Sequence, residues 1–441
     1  MSERDTICAL ASGQPPAAIC IIRLSGDRVW KIAGALLECG LPNPRHATLT
    51  RFRDEDGALI DEGLAVFMPG PHSYTGEDTL ELYLHGGPAV IKHSLEALTR
   101  QPGVRLAEPG EFTRRAFEAG KLDLTEAEGV ADIIEAETEA QKAQALRQLT
   151  GGLAETYDRW RAELTGVLAL LEVMVDFPDE GDAPEDTVRP ILGKLDELIG
   201  ELGEALGDRG IGEKIRDGFR VAIVGPPNAG KSSLLNRIAR REAAIVTDIA
   251  GTTRDVVEVR LVLGGQVVWL ADTAGLRETS DVVEAEGVRR AAKAARDADL
   301  RIHVIDGANA EPPKGPVEPQ DIVVFNKADQ RPPALAPDGA LAVSANTGMV
   351  IDQLEAAIAG FISQRAASVE APVITRARHR EKLSAGLASL MAARQLLEDD
   401  MGAELAAEDV RMALRQLGAV IGVVGVEDVL GAVFSQFCIG K

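Results

Sequence analysis

The sequence has few residues suited to covalent or metal cross-linking, and it lacks long apolar runs. Its four cysteines, Cys8, Cys20, Cys39 and Cys438, are scattered and form no C-x-x-C pair, which argues against a disulfide framework or a zinc site and favours a reducing compartment. No apolar run reaches the roughly 18 residues that suggest a membrane-spanning helix. The opening MSERDTICALASG has neither the basic start nor the apolar core of a secretory signal. These absences predict a cytoplasmic protein.

Positive charge is also scarce. The formal net charge is −22, and residues 122–216 hold 9 basic and 23 acidic residues, so most of the excess acid lies in this one segment. Such a chain repels a polyphosphate at long range. An RNA ligand would therefore have to be held by a local basic patch or by a partner.

The first part of the chain mixes short β-like runs with turns rich in glycine and proline. The segments AICIIRLSG, LAVFMPG and TLELYLHGG are typical of strands, and VIKHSLEALTR has helical spacing. Residues 1–121 are therefore predicted to form an α+β domain.

Residues 122–216 are predicted to be mainly helical. Apolar residues recur there at steps of three and four, which is typical of a helix with one buried face. These residues are Leu153, Tyr157, Trp160, Leu164, Val167, Leu168 and Leu171. The stretch PDEGDAPEDTVRP at 178–190 is too rich in proline and acid for a helix and is predicted to be a loop.

Short apolar strands return in residues 217–366. They are FRVAIVG, VEVRLVLGG, VVWLADTAG, LRIHVID, DIVVFNKAD and LAVSAN. Helical segments between several of them indicate an α/β domain with a mostly parallel sheet. In residues 367–441 the helical period resumes, with Val410, Leu414 and Leu417 on one face. The simplest arrangement is one all-α helical domain interrupted by an inserted α/β domain, and two separate helical bundles are the alternative.

Residues 225–232 carry the pattern of a phosphate-binding loop. GPPNAGKS matches G-x-x-x-x-G-K-[ST] and follows an apolar strand, as the pattern requires. Its glycines allow backbone N–H groups to surround phosphates, and the next helix points its positive end at them. Lys231 is expected to reach the β- and γ-phosphates, and the Ser232 hydroxyl to bind Mg²⁺. A glycine-rich turn without a nucleotide is the alternative.

The choice of base is indicated by NKAD, which follows the strand IVVF. The Asp329 carboxylate can accept hydrogen bonds from N1–H and N2–H₂ of guanine, whereas adenine would leave it unpaired at a cost of roughly 1–3 kcal/mol. GTP is therefore expected rather than ATP. Asn326 and Lys327 belong to the same motif. Ser344-Ala345-Asn346 is predicted to lie on the next strand and to back the base.

Two further segments are expected near the γ-phosphate. Asp272 in DTAG would hold Mg²⁺ through water, and Gly275 would turn its N–H towards the phosphate. Thr252 and Thr253 supply hydroxyls in a predicted switch loop, which the γ-phosphate would order. These motifs occur in this order on alternating strands and helices, so together they predict a GTPase.

The usual device for orienting water is absent. Many GTPases have a glutamine after the DTAG motif, and here the position is Leu276. Arg254 and Arg277 lie close to the nucleotide motifs, but salt bridges or solvated charges are the favoured interpretation, and no arginine finger is identified. The acidic run after DTAG offers several carboxylates, and spacing alone does not choose among them. They are Glu278, Asp281, Glu284 and Glu286.

At this point the chain resembles a known family, the bacterial tRNA-uridine modification GTPases called MnmE or TrmE. The resemblance covers nearly the whole chain. The strings that carry it are SYTGEDTLELYLHGGP, PGEFTRRAFEAGKLDLTEAEGVADII, NAGKSSLLNRIARREAAIVTDIAGTTRD, DTAGLRETSDVVEAEGVRRA and the terminal FCIGK. It implies an N-terminal tetrahydrofolate-binding domain that dimerises, an all-α domain, and a Ras-like P-loop G domain inserted into it. The implied boundaries are 1–121, 122–216, 217–366 and 367–441.

The resemblance also implies an activity. With an FAD-dependent partner, a homodimer would add an aminomethyl or carboxymethylaminomethyl group to C5 of the wobble uridine of certain tRNAs, using a folate one-carbon unit. Its G domains would close on each other when GTP and K⁺ bind, and K⁺ would stand where an arginine finger stands elsewhere. A ribosome-assembly or RNA-binding GTPase switch is the alternative function, and a vestigial folate domain on a scaffold is a third.

The resemblance also implies which residues of this chain form the nucleotide site, by their matching positions. The implied K⁺ ligands are Asn228, Thr247, Ile249 and Thr252. Ser232 and Thr253 would hold Mg²⁺, and Glu284 would act on the attacking water. The residues implied to contact GTP are Asn228, Ala229, Gly230, Lys231, Ser232, Ser233, Thr247, Thr252, Thr253, Asp272, Thr273, Ala274, Gly275, Asn326, Lys327, Asp329, Ser344, Ala345 and Asn346. A structural cap of the loop is the alternative role of Asn228.

The resemblance implies the residues of a folate site in the same way. Its implied contacts are Arg23, Glu81, Lys121 and Lys441, whose charges suit the donors of a pterin and the carboxylates of a folate tail. Each alone also fits an ordinary surface charge. FCIGK resembles a terminal Cys-x-Gly-Lys motif and places Cys438 beside the carrier, with its catalytic role open. The chain departs from the family at Pro226, where arginine is usual, and at GQPPAAIC, where a glycine-rich turn is usual.

Overall fold

The structure is a computed structural model of the 441-residue chain. The residues it describes are 5–176, 188–241, 257–272, 292–307, 316–330, 336–368, 373–399, 402–424, 427–435, 437 and 439–440. They fall into two compact units. The first comprises Met1–Ala131, Arg147–Leu195 and Ala388–Lys441, and the second Asp132–Leu146 and Asp196–Leu387.

A six-stranded, mainly antiparallel sheet organises the first unit. Its strands are β1 Thr6–Leu10, β2 Ala17–Ser25, β3 Thr48–Arg53, β4 Leu59–Met68, β5 Thr79–Gly86 and β6 Val104–Leu106. Their order is β3-β4-β5-β2-β1-β6, and the β1–β6 pair alone is parallel. The helices beside it in sequence are α1 Val29–Leu36, α2 Pro88–Thr99 and α3 Glu111–Glu118.

Side chains of β2 alternate between the two faces of this sheet. Cys20, Ile22 and Leu24 are buried in the apolar core, while Arg23 lies on the opposite face. Cys8 on β1 belongs to the same core, and burial raises the pKa of its thiol to about 12, so it is an inert apolar residue rather than a nucleophile.

Two long helices and one short helix also belong to the first unit. They are α6 Gly152–Asp176, α12 Ala403–Ile421 and α13 Glu427–Phe434. Helix α6 packs along α12. The apolar stripe predicted on α6 is buried, except that Leu168 is half-buried. On α12, Val410 and Leu417 are buried as the spacing predicts.

The C-terminal segment docks on this unit near α3. Phe434 and Phe437 are buried, with ring centroids 5.5 Å apart. Ile439 forms an antiparallel β-bridge with Pro109. Gly440 has φ of +101°, and a Cβ there would overlap the carbonyl oxygen of Leu10, so only glycine fits this close approach.

The second unit contains a six-stranded sheet with parallel pairing except at one edge. Its strands are β7 Phe219–Val224, β8 Val257–Leu263, β9 Gln266–Asp272, β10 Leu300–Asp306, β11 Ile322–Asn326 and β12 Leu341–Ala342. The order is β12-β11-β10-β7-β9-β8, with β8 antiparallel to β9. Helices α8 Ile211–Asp217, α9 Lys231–Arg241 and α10 Ile351–Ala366 accompany it, and 292–297 is a short helical segment.

The remaining helices are α4 Leu124–Glu135, α5 Glu139–Leu149, α7 Val188–Leu206 and α11 Ala377–Glu398. No helix among the described residues is both long enough and apolar enough to span a membrane. An α+β sheet domain, helices and a P-loop α/β domain are thus all present, and the predicted fold class is confirmed.

Two local predictions need correction. The loop predicted at 178–190 lies mostly outside the described residues, but its last three residues begin α7. Pro190 is tolerated there because the first turn of a helix has no intrahelical partner for its N–H groups. The strand predicted to hold Ser344-Ala345-Asn346 ends at Ala342, and these three residues form the loop that follows it.

Candidate functional site

The predicted nucleotide-binding residues lie at the carboxyl ends of the parallel strands in the second unit. The loop from Gly225 follows β7, Asp272 ends β9, Asp306 ends β10 and Asn326 ends β11. This is the edge of an open α/β sheet where ligands bind.

The backbone of the 225–232 loop requires its glycines. Gly225 and Gly230 have φ of +155° and +92°, and Asn228 has φ of +63°. A Cβ at Gly225 would overlap the carbonyl oxygen of Val304, and one at Gly230 would overlap the side-chain amide of Asn326. The loop therefore packs against β10 and β11 in a way that no larger residue permits.

Lys231 lies inside this loop. Its Nζ donates hydrogen bonds of 3.0 Å to the carbonyl oxygens of Gly225 and Pro226, and the residue is only 6% exposed. Burial lowers the pKa of the ammonium group, and the nearby Asp272 carboxylate opposes that shift. The charge is thus held within reach of any phosphate that the loop amides bind.

Ser232 and Asp272 form a pair suited to a divalent cation. The Ser232 hydroxyl donates a hydrogen bond to Oδ2 of Asp272. Asp272 is 4% exposed, and its Oδ1 is buried with no hydrogen-bond partner among the described residues. Hydroxyl and carboxylate oxygens are hard ligands, and Mg²⁺ typically keeps several waters, so Mg²⁺ fits a site that has the Ser232 hydroxyl as a ligand and the orphaned Asp272 oxygen as an acceptor for its waters.

Asn326 connects the phosphate loop with the predicted base loop. Its Nδ2 donates a hydrogen bond of 2.7 Å to the carbonyl oxygen of Ala229, and its Oδ1 accepts one of 3.1 Å from the N–H of Ala345. The side chain is 2% exposed. Because both ends of the amide are bonded, its orientation is fixed.

The rest of the NKAD motif lies beside this bridge. Lys327 has φ of +64°, and its Nζ donates a 2.9 Å hydrogen bond to Asp306. Asp306 was missed by the sequence reasoning, although a carboxylate at the end of a parallel strand was an available signal. Asp329 is exposed, so its carboxylate is accessible to a ligand. Ser344 is buried, and its Oγ accepts from the N–H of Thr347 at 3.1 Å.

Many of the predicted site residues lie outside the described residues. They are Thr247, Ile249, Thr252, Thr253, Thr273, Ala274, Gly275, Glu284, Cys438 and Lys441. The structure therefore brings together Asn228, Lys231, Ser232, Asp272 and Asn326 at one edge of the sheet, with Asp329 on the loop after β11.

A second cluster lies on the face of the first sheet opposite the apolar core. Arg23 and Glu81 are cross-strand neighbours in register, and Nε of Arg23 donates to Oε1 of Glu81 at 2.9 Å. The hydroxyl of Tyr83 donates to Oε2 at 2.8 Å. Burial raises the pKa of Tyr83, and its hydrogen bond to Glu81 raises it further, so the phenol remains a donor. Tyr83 was not predicted from the sequence.

Aromatic rings frame this pair. The guanidinium carbon of Arg23 lies 5.4 Å from the ring centroid of Tyr74 and 5.7 Å from that of Phe112. Lys121 donates a 2.6 Å hydrogen bond from Nζ to the carbonyl oxygen of Pro71, in the same loop that carries Tyr74. Arg23 and Glu81 are thus in direct contact, and Lys121 contacts the loop beside them.

The EFTRRAF segment contributes two buried charges, Glu111 and Arg115, to a network of ion pairs next to this cluster. Arg115 donates to Oε2 of Glu77 and to Oε1 of Glu111, each at 2.9 Å. Arg105 makes two further hydrogen bonds to Glu111, at 2.6 and 2.7 Å. Ser25 donates to Glu77 at 2.7 Å. The network ties α3 to the loop before β5.

Two family models match this chain. The family model described as GTP-binding protein TrmE N-terminus matches residues 6–121, and the model described as MnmE helical domain matches residues 124–438. Among solved structures, the G domain of the T. maritima FeoB iron transporter shares 22% identity over 32% of this chain and 98% of its own, with a TM-score of 0.24.

Curated relatives match over their full length. A tRNA modification GTPase MnmE from Hyphomonas neptunium is 76% identical and covers 100% of both chains. Relatives of the same name from Parvibaculum lavamentivorans and Maricaulis maris are 53% and 49% identical, and each match covers 99% of this chain and 99% or more of the relative. The chain therefore belongs to the MnmE family of tRNA modification GTPases.

Proposed function

We propose that this chain hydrolyses GTP in a K⁺-dependent manner and, with an FAD-dependent partner, modifies C5 of the wobble uridine of certain tRNAs. The added group would be aminomethyl or carboxymethylaminomethyl, and its one-carbon unit would come from a folate. The observation that carries the proposal is the joined nucleotide site, in which Asn326 bridges the phosphate and base loops. The full-length relatives, all named tRNA modification GTPases, support the tRNA substrate.

The chain's own residues would bind and orient GTP. Backbone amides of the 225–232 loop would bind the phosphates, with the ammonium group of Lys231 among them. Asp329 would accept hydrogen bonds from guanine, and Ser344 would keep the loop behind the base folded. Mg²⁺ would be held by Ser232 and Thr253 directly and by Asp272 through water, and when bound it neutralises phosphate charge.

K⁺ fits the loop in its chemistry. Asn228 is exposed and has a positive φ at the edge of the phosphate loop. Its side-chain amide oxygen is a hard ligand. It would share K⁺ with Thr247, Ile249 and Thr252, and bound K⁺ supplies positive charge beside the transferring phosphoryl group. Glu284 would orient the attacking water, the role that Leu276 cannot fill.

The Arg23–Glu81 cluster would bind a folate. Its carboxylate and guanidinium suit the donors of a pterin and the carboxylates of a folate tail, and the Tyr74 and Phe112 rings provide flat apolar surfaces. Lys121 and Lys441 would contact the same ligand. Cys438 would act beside the bound folate, which supplies the one-carbon unit.

We assign the domains as residues 1–121 for folate binding and homodimerisation, 217–366 for the G domain, and 122–216 with 367–441 for the helical domain. A cytoplasmic location follows from the tRNA substrate. Residues 122–216 carry most of the excess acid, so the partner would supply much of the surface for tRNA.

Nucleoside analysis of tRNA tests the proposal. Cells lacking this chain should lose the C5-modified wobble uridine, and the intact chain should restore it. Asp272→Ala and a chain truncated before Cys438 should both fail to restore it, the first for want of GTP hydrolysis and the second for want of the terminal motif. An unchanged nucleoside profile in cells lacking the chain would refute the proposed substrate.

A further inference from the structure

Arg237 holds the base loop from the helix that begins at the phosphate loop. It lies on α9, is half-buried, and donates a hydrogen bond of 2.8 Å from Nε to the carbonyl oxygen of Ala345. A terminal nitrogen of the same guanidinium donates to the carbonyl oxygen of Asn346. Both acceptors are backbone atoms, so no side-chain motif in the sequence indicates this contact.

The position of Arg237 on α9 makes this contact a link between the two halves of the site. Helix α9 begins at Lys231, six residues earlier, which corresponds to about 9 Å along the helix axis. Four residues later, Arg241 pairs with Asp352 in the first turn of α10. The helix that carries the phosphate-binding lysine is therefore fastened to the base loop and to the helix after it.

Ala345 is held at both of its backbone polar groups. Asn326 accepts from its N–H, and Arg237 donates to its carbonyl oxygen. The loop also has internal hydrogen bonds, from the N–H of Gly348 to the carbonyl oxygen of Ser344 at 2.8 Å and from Thr347 to Ser344 Oγ. Without the Arg237 side chain, these internal hydrogen bonds would keep the turn folded. Among the described residues, the hydrogen bond from the Ala345 N–H to Asn326 would then be the side-chain contact left to position Ala345.

We propose that Arg237 is a positioning residue for guanine recognition, and the proposal rests on GTP binding at this site. Arg237 would act through the backbone of the Ser344–Asn346 loop, which it holds by hydrogen bonds and which Asn326 joins to the phosphate loop, so that the pocket for the base is formed before the nucleotide arrives. Preorganisation of this kind strengthens binding by reducing the ordering that binding must accomplish, and it acts on affinity rather than on the chemical step.

The test compares Arg237→Ala, Arg237→Lys and the control Arg240→Ala in the full chain. Arg240 is exposed on the same helix, and the structure shows no bond to the base loop from it. Dissociation constants for GDP and GTP, kcat and KM for hydrolysis, and the thermal midpoint without nucleotide should be measured for each variant.

Arg237→Ala should weaken binding of GDP and GTP by about threefold to tenfold, because two charge-assisted hydrogen bonds are lost at a partly solvated site. KM should rise by a similar factor while kcat stays within about twofold. Arg237→Lys should recover part of the affinity, since an ammonium group can replace one of the two bonds. Arg240→Ala should bind like the original chain.

Two results would overturn the proposal. Unchanged dissociation constants in Arg237→Ala, with or without a lower thermal midpoint, would show that Arg237 has only a structural role. A fall in kcat at unchanged affinity would show that it acts on the chemical step. If the original chain binds no guanine nucleotide, the GTPase assignment itself fails, which is a different outcome from either of these.

Discussion

The side-chain amide of Asn326 donates a 2.7 Å hydrogen bond to the carbonyl oxygen of Ala229, so the end of β11 is joined to the middle of the phosphate loop. The same side chain accepts from Ala345. One buried amide thus sets the distance between the part of the site that would bind phosphate and the part that would bind the base.

Asn326→Ala should weaken guanine nucleotide binding by about tenfold or more. Two buried backbone groups would lose their partner, and each unsatisfied group costs about 1–3 kcal/mol. Titration with a fluorescent GDP analogue measures the effect. Gln364→Ala, on an exposed position of α10, is the control and should bind normally. Equal affinity in both variants would show that the bridge does not shape the site.

Asp329→Asn should change the preferred base. An amide presents a donor as well as an acceptor, so it pairs less well with N1–H and N2–H₂ of guanine and better with a xanthine, which has a carbonyl oxygen at C2. We expect GTP affinity to fall by about tenfold to hundredfold, while XTP affinity rises. Competition of the two nucleotides for the variant decides the matter. Retained preference for GTP would mean that Asp329 does not contact the base.

Glu111 should make the first unit sensitive to acid. Its burial alone would raise the pKa, but hydrogen bonds from Arg105, the N–H of Glu108 and Arg115 lower the pKa to about 2. A carboxyl with a lowered folded-state pKa adds stability above its unfolded value of about 4.5, and that stability is lost as pH falls towards 2. Denaturant unfolding from pH 6 down to about pH 2 should show this loss.

Glu111→Gln should lower the free energy of unfolding by about 3 kcal/mol at neutral pH, because it leaves the buried Arg115 and the partly exposed Arg105 without this charge partner. The acid-dependent loss described above should also shrink in this variant. Glu108→Gln is the control, since Glu108 is exposed and its nearest arginine nitrogen is 4.0 Å away. Equal stability of the two variants at neutral pH would contradict the assigned role of the network.

Gly440→Ala should separate the two proposed activities. A Cβ at this position overlaps the Leu10 carbonyl, so the C-terminal segment must shift away from β1. We expect tRNA modification to fall by about tenfold or more, while GTP hydrolysis stays within about twofold. Gly431→Ala is the matched control, because a Cβ there meets no atom within 4 Å. Normal modification by Gly440→Ala would argue against a role of the terminal motif in the folate site.

The nucleotide site was largely predictable because its residues are fixed by position relative to strands. Apolar runs located β7, β9 and β11, and a residue that directly follows a parallel strand must lie at the ligand-binding edge. The structure places Lys231, Asp272 and Asn326 at one edge of the sheet, as the motifs and the strands before them predicted, and their contacts with GTP stay a prediction. The strand predicted at LAVSAN was longer than the observed β12, because the apolar run Leu341–Val343 does not show where strand pairing stops.

The contacts that were missed involve backbone atoms or residues distant in sequence. Arg237 bonds to two carbonyl groups more than 100 residues away, and such acceptors leave no trace in side-chain patterns. The hydrogen bond from Tyr83 to Glu81 depends on the local shape of β5 and on the register with β2. EFTRRAF matches the family, but the spacing within it does not indicate that Arg115 and Glu111 are buried as an ion pair or that Arg115 also pairs with Glu77.

Steady-state GTP hydrolysis by the full chain in KCl and in NaCl tests the central claim most directly, with Asp272→Asn measured alongside. We expect hydrolysis to be about tenfold or more faster in KCl, since K⁺ bound at the Asn228 loop would replace an arginine finger, and to be nearly abolished in the variant. Equal rates in the two salts would contradict the K⁺ assignment. Hydrolysis by the original chain no faster than by Asp272→Asn in either salt would contradict the account of the nucleotide site as a whole.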